Sequence, residues 1–311
     1  MKIRQTFQKF LLATALGTSL IVTTSSCDKD DDPVPAAKTI TDIVSSDPNF
    51  SLLKSAVIKA GLADALSTGT LTVFAPDDAA FAASGITSAT INSLSAADLA
   101  NILTYHVVAA NVKAANVPVS DTVKSLQGKN LYASRNANGV FVNGSKVKTA
   151  DIAAANGTIH VISSVLMPPT KTIAQLATET PSLSLLLTAV VKAGLAGAVS
   201  GPGKFTVFAP TNDAFTAAGF PTDASINAAD AAAVTGIVSA HVLPTAVFSS
   251  DLIAGSTANT IKTGTSLTIG VTPPSVKITG SANAASNIIL PSGVNIIATN
   301  GVVHLIDKVL Q

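Results

Sequence analysis

Histidine has the widest chemical repertoire of the residue types in this chain, because an imidazole can bind a metal ion or transfer a proton near neutral pH. There are four histidines: His106, His160, His241 and His304. Each lies close to Val, Leu or Ile, and no His-x-x-x-His pair or cysteine ligand set accompanies them. A metal site needs further ligands and groups that orient them. We therefore expect no metal and no cofactor, and interpret the imidazoles as neutral structural hydrogen-bonding groups.

The patterns typical of catalytic sites do not occur either. There is no Gly-x-Ser-x-Gly segment, and Gly201 to Phe205 is not a phosphate loop because no Ser or Thr follows Lys204. Glu179 is the single glutamate, so acid-base pairs would have to come from scattered Asp. The pair Asp77-Asp78 is better explained by capping of a helix N-terminus. The sequence thus predicts a protein that is not an enzyme.

The N-terminus has the pattern of a targeting segment. A positively charged start precedes a short apolar run from Phe10 to Val22, which is too short to span a bilayer and favours a signal peptide, residues 1–26. Cys27 is the only cysteine, which excludes an internal disulfide. The segment Ile21 to Cys27 resembles a bacterial lipoprotein signal, which implies that Cys27 is lipidated and becomes the mature N-terminus. A plain secretory peptide with a chance cysteine is the alternative.

Residues 27–37 are expected to form a solvated tether, because like charges between Asp28 and Asp32 repel and Pro33 and Pro35 block regular structure. Lys29 followed by acids just after the cysteine also resembles the surface-export signal of Bacteroidetes lipoproteins. These resemblances imply an outer-membrane protein that contacts the membrane only through its lipid anchor and is exposed at the cell surface.

Composition excludes some classes of partner. The net charge is +1, Lys and Arg do not cluster, and the chain has no Trp and 4% aromatic residues, which argues against nucleic-acid binding. The absence of Trp also weakens an assignment to carbohydrate-active proteins. The uncharged stretch from Ala231 to Ser250 contains His241 and Pro244, so we expect a buried helix that runs into a strand and not a membrane span.

Two segments of the chain repeat. Thr72 to Pro76 and Thr206 to Pro210 both read TVFAP, and an Asn-Gly pair precedes both His160 and His304. The two phenylalanines, Phe74 and Phe208, lie 134 positions apart, far longer than a solenoid unit. We therefore predict two domains, the first repeat (residues 38–168) and the second repeat (residues 171–311).

Within each repeat, helices are expected first and strands second. Asn49 and Ser182 are predicted to cap equivalent helices that end at Gly61 and Gly194. Asp77 or Thr211 should cap a short helix after each TVFAP strand. Later helices are predicted over Ser95 to Thr104 and Asn227 to Ser239.

After these helices the spacing of apolar residues falls to every second position, which predicts strands. The predicted strands are Val123 to Leu126, Leu131 to Arg135, Val140 to Val142, Lys146 to Lys148, Ile261, Leu267 to Val271 and Val276 to Ile278. The fold class is α+β.

Taken together, these motifs resemble the fasciclin family of adhesion domains. They are Phe74 and Pro76 with His160 in the first repeat, Phe208 and Pro210 with His304 in the second, and a histidine after a helix at His106 and His241. The resemblance implies a wedge-shaped β-sandwich of roughly seven strands flanked by helices. It also implies a role in adhesion or matrix contact without catalysis.

The sequence features that the family links to adhesion are complete only in the first repeat. In animal members of the family, an Asp-Ile pair upstream of the Asn-Gly segment is tied to integrin contact, and Asp151-Ile152 stands there in the first repeat. The family's Tyr-His pair is Tyr105-His106. The second repeat has Asn295-Ile296 and Ala240-His241 instead. The first repeat therefore supplies the binding candidates, unless these residues only close the fold.

Two classes of function follow. One is a surface lipoprotein that binds an extracellular protein or glycan in adhesion or in a biofilm matrix. The other is a receptor for a small or polymeric ligand, such as an accessory protein for polysaccharide capture. Flat exposed apolar patches would favour the first class, and a pocket or groove between the domains would favour the second.

Overall fold

A computed structural model describes residues 37–272, 275–280 and 285–311. The predicted signal peptide, the lipidated Cys27 and all but the last residue of the tether lie outside these residues. The two repeats share most of their order of elements, but the second has an additional helix, α8, before its first strand. The helices of the first repeat are α1 Ile40–Ser46, α2 Ser51–Ala60, α3 Asp78–Ala83, α4 Ser88–Ser93 and α5 Ala96–Tyr105; those of the second are α6 Ile173–Glu179, α7 Ser184–Lys192, α8 Ala196–Ser200, α9 Asn212–Ala217, α10 Asp223–Ala228 and α11 Ala231–Ala240.

The strands of the first repeat form one seven-stranded sheet in the order β2-β1-β7-β6-β5-β4-β3. Strands β1 and β7 are parallel and the other neighbours are antiparallel. Asn143 and Gly144 join β5 to β6 with φ of 50° and 77°, the conformation that a two-residue hairpin turn favours. The strands are β1 Leu71–Pro76, β2 Val107–Val108, β3 Ser120–Lys124, β4 Asn130–Asn136, β5 Gly139–Val142, β6 Ser145–Ala154 and β7 Gly157–Ile162.

In the residues of the second repeat that the structure describes, the strands divide into two four-stranded sheets, ordered β10-β11-β12-β13 and β14-β15-β8-β9. The long strand β6 of the first repeat is represented here by two short strands, β13 and β14. The strands are β8 Phe205–Pro210, β9 Val242–Leu243, β10 Thr257–Asn259, β11 Ser266–Thr272, β12 Ser275–Thr279, β13 Ser286–Asn287, β14 Ile296–Ala298 and β15 Gly301–Ile306. The α+β class is thus confirmed in both repeats.

Each repeat packs two apolar layers, because side chains on a strand alternate between its faces. Along β1, Val73 and Ala75 pack with the helices. Phe74 points to the other face and packs with Leu131 and Val142 from β4 and β5, which are distant in the order of the sheet. The sheet therefore folds back over itself as a sandwich. Phe208 has the same role in the second repeat, against Leu267 and Ile278 among others.

The start of α2 is fixed by a distant side chain. Asp78 accepts hydrogen bonds from the N–H of Leu52 at 2.9 Å and from the hydroxyl of Ser51 at 2.6 Å. Asn212 likewise accepts from the N–H of Leu185 at the start of α7, at 3.1 Å. The predicted caps Asn49 and Ser182 are therefore wrong. Helices α2 and α7 begin after short 3-10 turns. Their first N–H groups are bonded instead by Asp78 and Asn212, each of which directly follows the residue that caps helix α3 or α9.

Two other local predictions differ from the structure. The helix expected to begin at Asn227 is interrupted, because Asp230 caps a new helix, α11, by accepting from the N–H of Ala233 at 2.9 Å. Ile261 lies beyond the end of β10. Helix α11 ends at Ala240 and leads into β9, and among the residues that the structure describes no helix has the length and apolarity to cross a membrane.

Candidate functional site

The two sequence motifs of each repeat meet on neighbouring parallel strands. Phe74 of β1 is in register with His160 of β7, and their rings stack with centroids 5.5 Å apart. Phe208 and His304 stack in the same way at 5.6 Å. Gly157 permits this pairing, since a Cβ atom there would lie 1.8 Å from the carbonyl oxygen of the β1 residue Leu71. The glycine of each Asn-Gly pair is therefore required by the close approach of two strands.

His160 and His304 each use both ring nitrogens. The Nε2 of His160 donates to the carbonyl of Val112 at 2.8 Å, and its Nδ1 accepts from the N–H of Asp151 at 3.2 Å. In the second repeat His304 makes the same pair of bonds, with Val247 and Asn295. A carbonyl can only accept and an N–H can only donate, so the partners fix a neutral tautomer.

His106 and His241 form a second equivalent pair at the ends of α5 and α11. The Nδ1 of His106 donates to the carbonyl of Ile102 at 2.8 Å, and its Nε2 accepts from the N–H of Leu166 at 2.9 Å. His241 bonds in the same way to Ile237 and Leu310. These bonds connect the end of a helix to the last segment of the same repeat.

Burial keeps three of the imidazoles uncharged. It lowers the pKa of His106, His241 and His304 to about 4, because removal from water disfavours the charged form. Within the described ranges, no three His, Cys, Asp or Glu residues lie close enough together to hold a metal ion. All four imidazoles make hydrogen bonds within their own repeat through both ring nitrogens.

Asp151 and Asn295 occupy the same position in the two repeats. Both have positive φ, 60° and 54°, which Asp and Asn tolerate better than most other residues. Both donate their N–H to the histidine of β7 or β15. The carboxylate of Asp151 accepts from the N–H of Ala114 at 3.0 Å, and the amide oxygen of Asn295 accepts from the N–H of Ser249 at 2.8 Å. A carboxylate and an amide therefore make the same structural contacts.

Of the sequence-derived binding candidates, only Asp151 is exposed, and Ile152 beside it is partly buried against the helical core. The Oδ2 atom of Asp151 has no hydrogen-bond donor from the described residues. The first repeat therefore presents to solvent a carboxylate that is fixed by one hydrogen bond at its backbone N–H and one at its Oδ1 atom.

Tyr105 and His106 are buried, with 0% and 2% of their surfaces exposed. The Tyr105 hydroxyl donates to the carbonyl of Asn130 and accepts from Nδ2 of Asn143, both at 2.9 Å. Burial raises the pKa of this phenol to about 12. Direct contact of either side chain with a partner is incompatible with this burial, so the expectation that they contribute to a binding surface is corrected.

The contact between the repeats was not predicted from the sequence. The ring of Tyr132 packs on Phe248 with centroids 5.5 Å apart. The Ser134 hydroxyl donates to Asp251 at 2.6 Å, and the Asn136 amide donates to the carbonyl of Ser250 at 2.8 Å. We call these six residues the joint; Ala246, Ile297 and Val302 complete its apolar part.

One signal in the sequence could have located the joint. Phe248 of the second repeat takes the place of Lys113 in the first, and Val302 takes the place of Thr158. Phe248 is buried whereas Lys113 is partly exposed, so this difference marks a surface that only the second repeat buries; Thr158 and Val302 are both fully buried and differ only in polarity. Across the same contact, Lys204 also pairs with Asp121 at 2.6 Å.

A cleft of about 520 Å³ lies beside the joint. Its lining includes Asn143, Ser145, Met167, Lys171, Asn295 and Ile297. The amides of Asn143 and Asn295 are already engaged at both ends by other protein groups. The cleft therefore offers a ligand apolar side chains such as Met167, the hydroxyl of Thr170, and the ammonium group of Lys171, which also pairs with Glu179.

A model of the fasciclin domain matches residues 48–168 and 181–311, which together make up most of the chain. The transforming growth factor-beta-induced protein ig-h3 of Sus scrofa is 30% identical over 247 residues, 78% of this chain and 35% of that protein. The cell surface glycolipoprotein MPB83 of Mycobacterium bovis is 35% identical over 145 residues, 44% of this chain and 61% of that protein. This sequence thus spans about a third of ig-h3.

Among solved structures, the protein is similar to a FAS1 domain pair from the insect cell adhesion molecule fasciclin I. The TM-score is 0.42 and the sequence identity is 20%, over 84% of this chain and 96% of that one.

Proposed function

Because the chain belongs to the fasciclin domain family, we propose that it is an adhesion protein that binds extracellular protein or glycan partners. Members of this family are non-enzymatic adhesion proteins, and this protein is not an enzyme. The observation that carries the proposal is the presence of two fasciclin domains in tandem over most of the chain.

We place the contact with the partner at Asp151 in the first repeat. Its carboxylate is exposed, its backbone is held by His160, and one of its oxygens has no donor among the described residues. A charge-assisted hydrogen bond to this oxygen would contribute about 1.5–3 kcal/mol, so its loss should lower affinity about tenfold or more.

Two substitutions separate binding from folding. Asp151→Asn removes the charge and keeps an oxygen that can accept from Ala114, as Asn295 does from Ser249. Asp151→Ala removes the charge and the acceptor together. We expect Asp151→Asn to keep the melting temperature and lose attachment to cells or matrix, whereas Asp151→Ala should lose both. Unchanged attachment by Asp151→Asn would place the binding surface elsewhere.

We further propose that the protein is anchored to the outer membrane by lipid on Cys27 and faces the outside of the cell. Support comes from the sequence around Cys27 and from the similarity to MPB83, a cell surface glycolipoprotein. Cys27→Ala should release the protein into a soluble fraction, and protease added to intact cells should digest the wild type. A variant that still sediments with membranes would contradict the anchor.

The cleft beside the joint favours a second candidate function, the capture of a small or polymeric ligand such as a polysaccharide. Its volume of about 520 Å³ is in the usual range for ligand sites. Met167 is 52% exposed on its wall, so Met167→Arg should obstruct it without disturbing the core. A glycan array would support this function if a glycan bound the wild type and Asp151→Asn but not Met167→Arg.

A further inference from the structure

Four Asn-Gly pairs occur in the described residues, at Asn138, Asn143, Asn156 and Asn300. Asn-Gly is the dipeptide in which an asparagine side chain reacts most readily with its own backbone, because glycine leaves the following nitrogen unhindered. In an unfolded protein the four pairs are chemically alike. Only the folded structure can distinguish them.

Three of the four amides are held at both ends. Asn143 accepts from the N–H of Tyr132 and donates to the hydroxyl of Tyr105, at 2.8 and 2.9 Å. Asn156 accepts from the N–H of Ile40 and donates to the carbonyl of Leu66, both at 2.9 Å.

Asn300 is held in the same way and is only 4% exposed. It accepts from the N–H of Ile173 at 3.0 Å and donates to the carbonyls of Val199 and Gly201. To cyclise, each of these three side chains must first break at least two hydrogen bonds, which should slow the reaction at least tenfold.

Asn138 differs from the other three. It is exposed at the tip of the β4–β5 hairpin, and its side-chain amide has no hydrogen-bond partner among the described residues. Only its backbone N–H is engaged, with Oδ1 of Asn136 at 2.8 Å. We propose that Asn138 is the site of spontaneous deamidation in this protein, and that its conversion to isoaspartate loosens the joint between the repeats.

The reaction needs only water. The backbone nitrogen of Gly139 loses its proton and attacks Cγ of Asn138. The new bond from this nitrogen to Cγ closes a succinimide, while the bond from Cγ to Nδ2 breaks and ammonia leaves. Water then opens the ring at either carbonyl, which gives aspartate or isoaspartate.

Isoaspartate places an extra carbon in the backbone of the hairpin. The two-residue connection sets the register in which Asn136 pairs with Gly139, and the longer backbone no longer fits it. Asn136 is also the residue whose amide donates to Ser250, and Ser134 on the same strand donates to Asp251. A change at the hairpin tip therefore reaches two hydrogen bonds of the joint.

The test is to age the whole mature protein in mildly alkaline buffer, folded and in urea, and to map deamidation of each Asn-Gly peptide by mass spectrometry. In urea the four sites should convert at similar rates. In the folded protein Asn138 should convert at least tenfold faster than the other three. Conversion of any other site as fast as Asn138, or none at Asn138, would overturn the assignment.

The effect on the joint is tested by hydrogen exchange. Exchange in β4 and in residues 249–251 should rise at least tenfold in the aged isoaspartate protein. The control is Asn138→Asp, which adds the charge but keeps the backbone length, and it should exchange like fresh wild type. Equal exchange in aged and fresh protein would refute the link to the joint.

Discussion

Acidification should destabilise this protein through its buried histidines. Burial holds the pKa of His106, His241 and His304 at about 4, against an ordinary value of 6.5. Between these two pH values the unfolded protein binds a proton at each imidazole and the folded protein does not. The stabilisation is therefore complete above about pH 6.5 and is lost as the pH falls toward about 4.

The size of the effect follows from the same values. At about pH 5, each of these histidines should lower the free energy of unfolding by about 2 kcal/mol relative to its value at about pH 7. The three together amount to about 6 kcal/mol, comparable with the whole stability of an ordinary domain.

Carboxyl groups contribute at lower pH: the hydrogen bond and charge of Lys204 lower the pKa of Asp121 below its usual 3.8, so its contribution is lost only in more acid solution.

The assay is urea unfolding at a series of pH values from about 7 to about 5. His241→Gln should weaken the protein at neutral pH and reduce the pH slope by up to one proton. Histidine NMR signals give an independent measurement that needs no variant, since the three imidazoles should not titrate near their usual pKa in the folded protein. A stability that stays constant over this range, or a buried imidazole that titrates near pH 6.5, would refute the assignment.

Three further predictions concern individual contacts. Gly157→Ala should lower the free energy of unfolding by about 3 kcal/mol or more, because its Cβ would overlap a carbonyl of β1. In the control Gly197→Ala in helix α8, the new Cβ meets no other atom, so this change should be neutral or stabilising by up to about 1 kcal/mol. Thermal unfolding of the two variants makes the comparison. Asp78→Ala should lower stability by about 1–2 kcal/mol through loss of the cap of α2, and unchanged urea unfolding of this variant would contradict that role. Phe248→Ala should lower the free energy of unfolding by about 3 kcal/mol and loosen the joint. Lys113→Ala, at the equivalent position of the first repeat, should have little effect. Equal hydrogen exchange in the two variants would argue against the joint.

Much of the fold could be predicted from the sequence, because the deciding signals are local. Period-two apolar patterns, Asn-Gly turns and the TVFAP strands act over a few residues, and they identified the α+β class, the duplication and the fasciclin family correctly. The caps at Asp77 and Thr211 were also correct, since each capping side chain bonds an N–H three residues further along.

Other features depend on residues that are distant in the sequence. The cap of α2 comes from Asp78, 26 residues beyond the N–H it accepts from, so no local pattern could predict it. Tyr105 had the appearance of a binding residue, but partners on β4 and on the β5–β6 turn bury its hydroxyl.

The partner of Phe248 in the joint was decided by tertiary structure. The sequence shows that Phe248 and Lys113 differ, but only the folded protein shows that Phe248 packs on Tyr132 of the other repeat. The same holds for the Asn-Gly pairs, which the sequence makes equivalent and the fold does not. Local sequence sets the conformation of a segment, whereas burial and hydrogen bonding depend on which distant segments surround it.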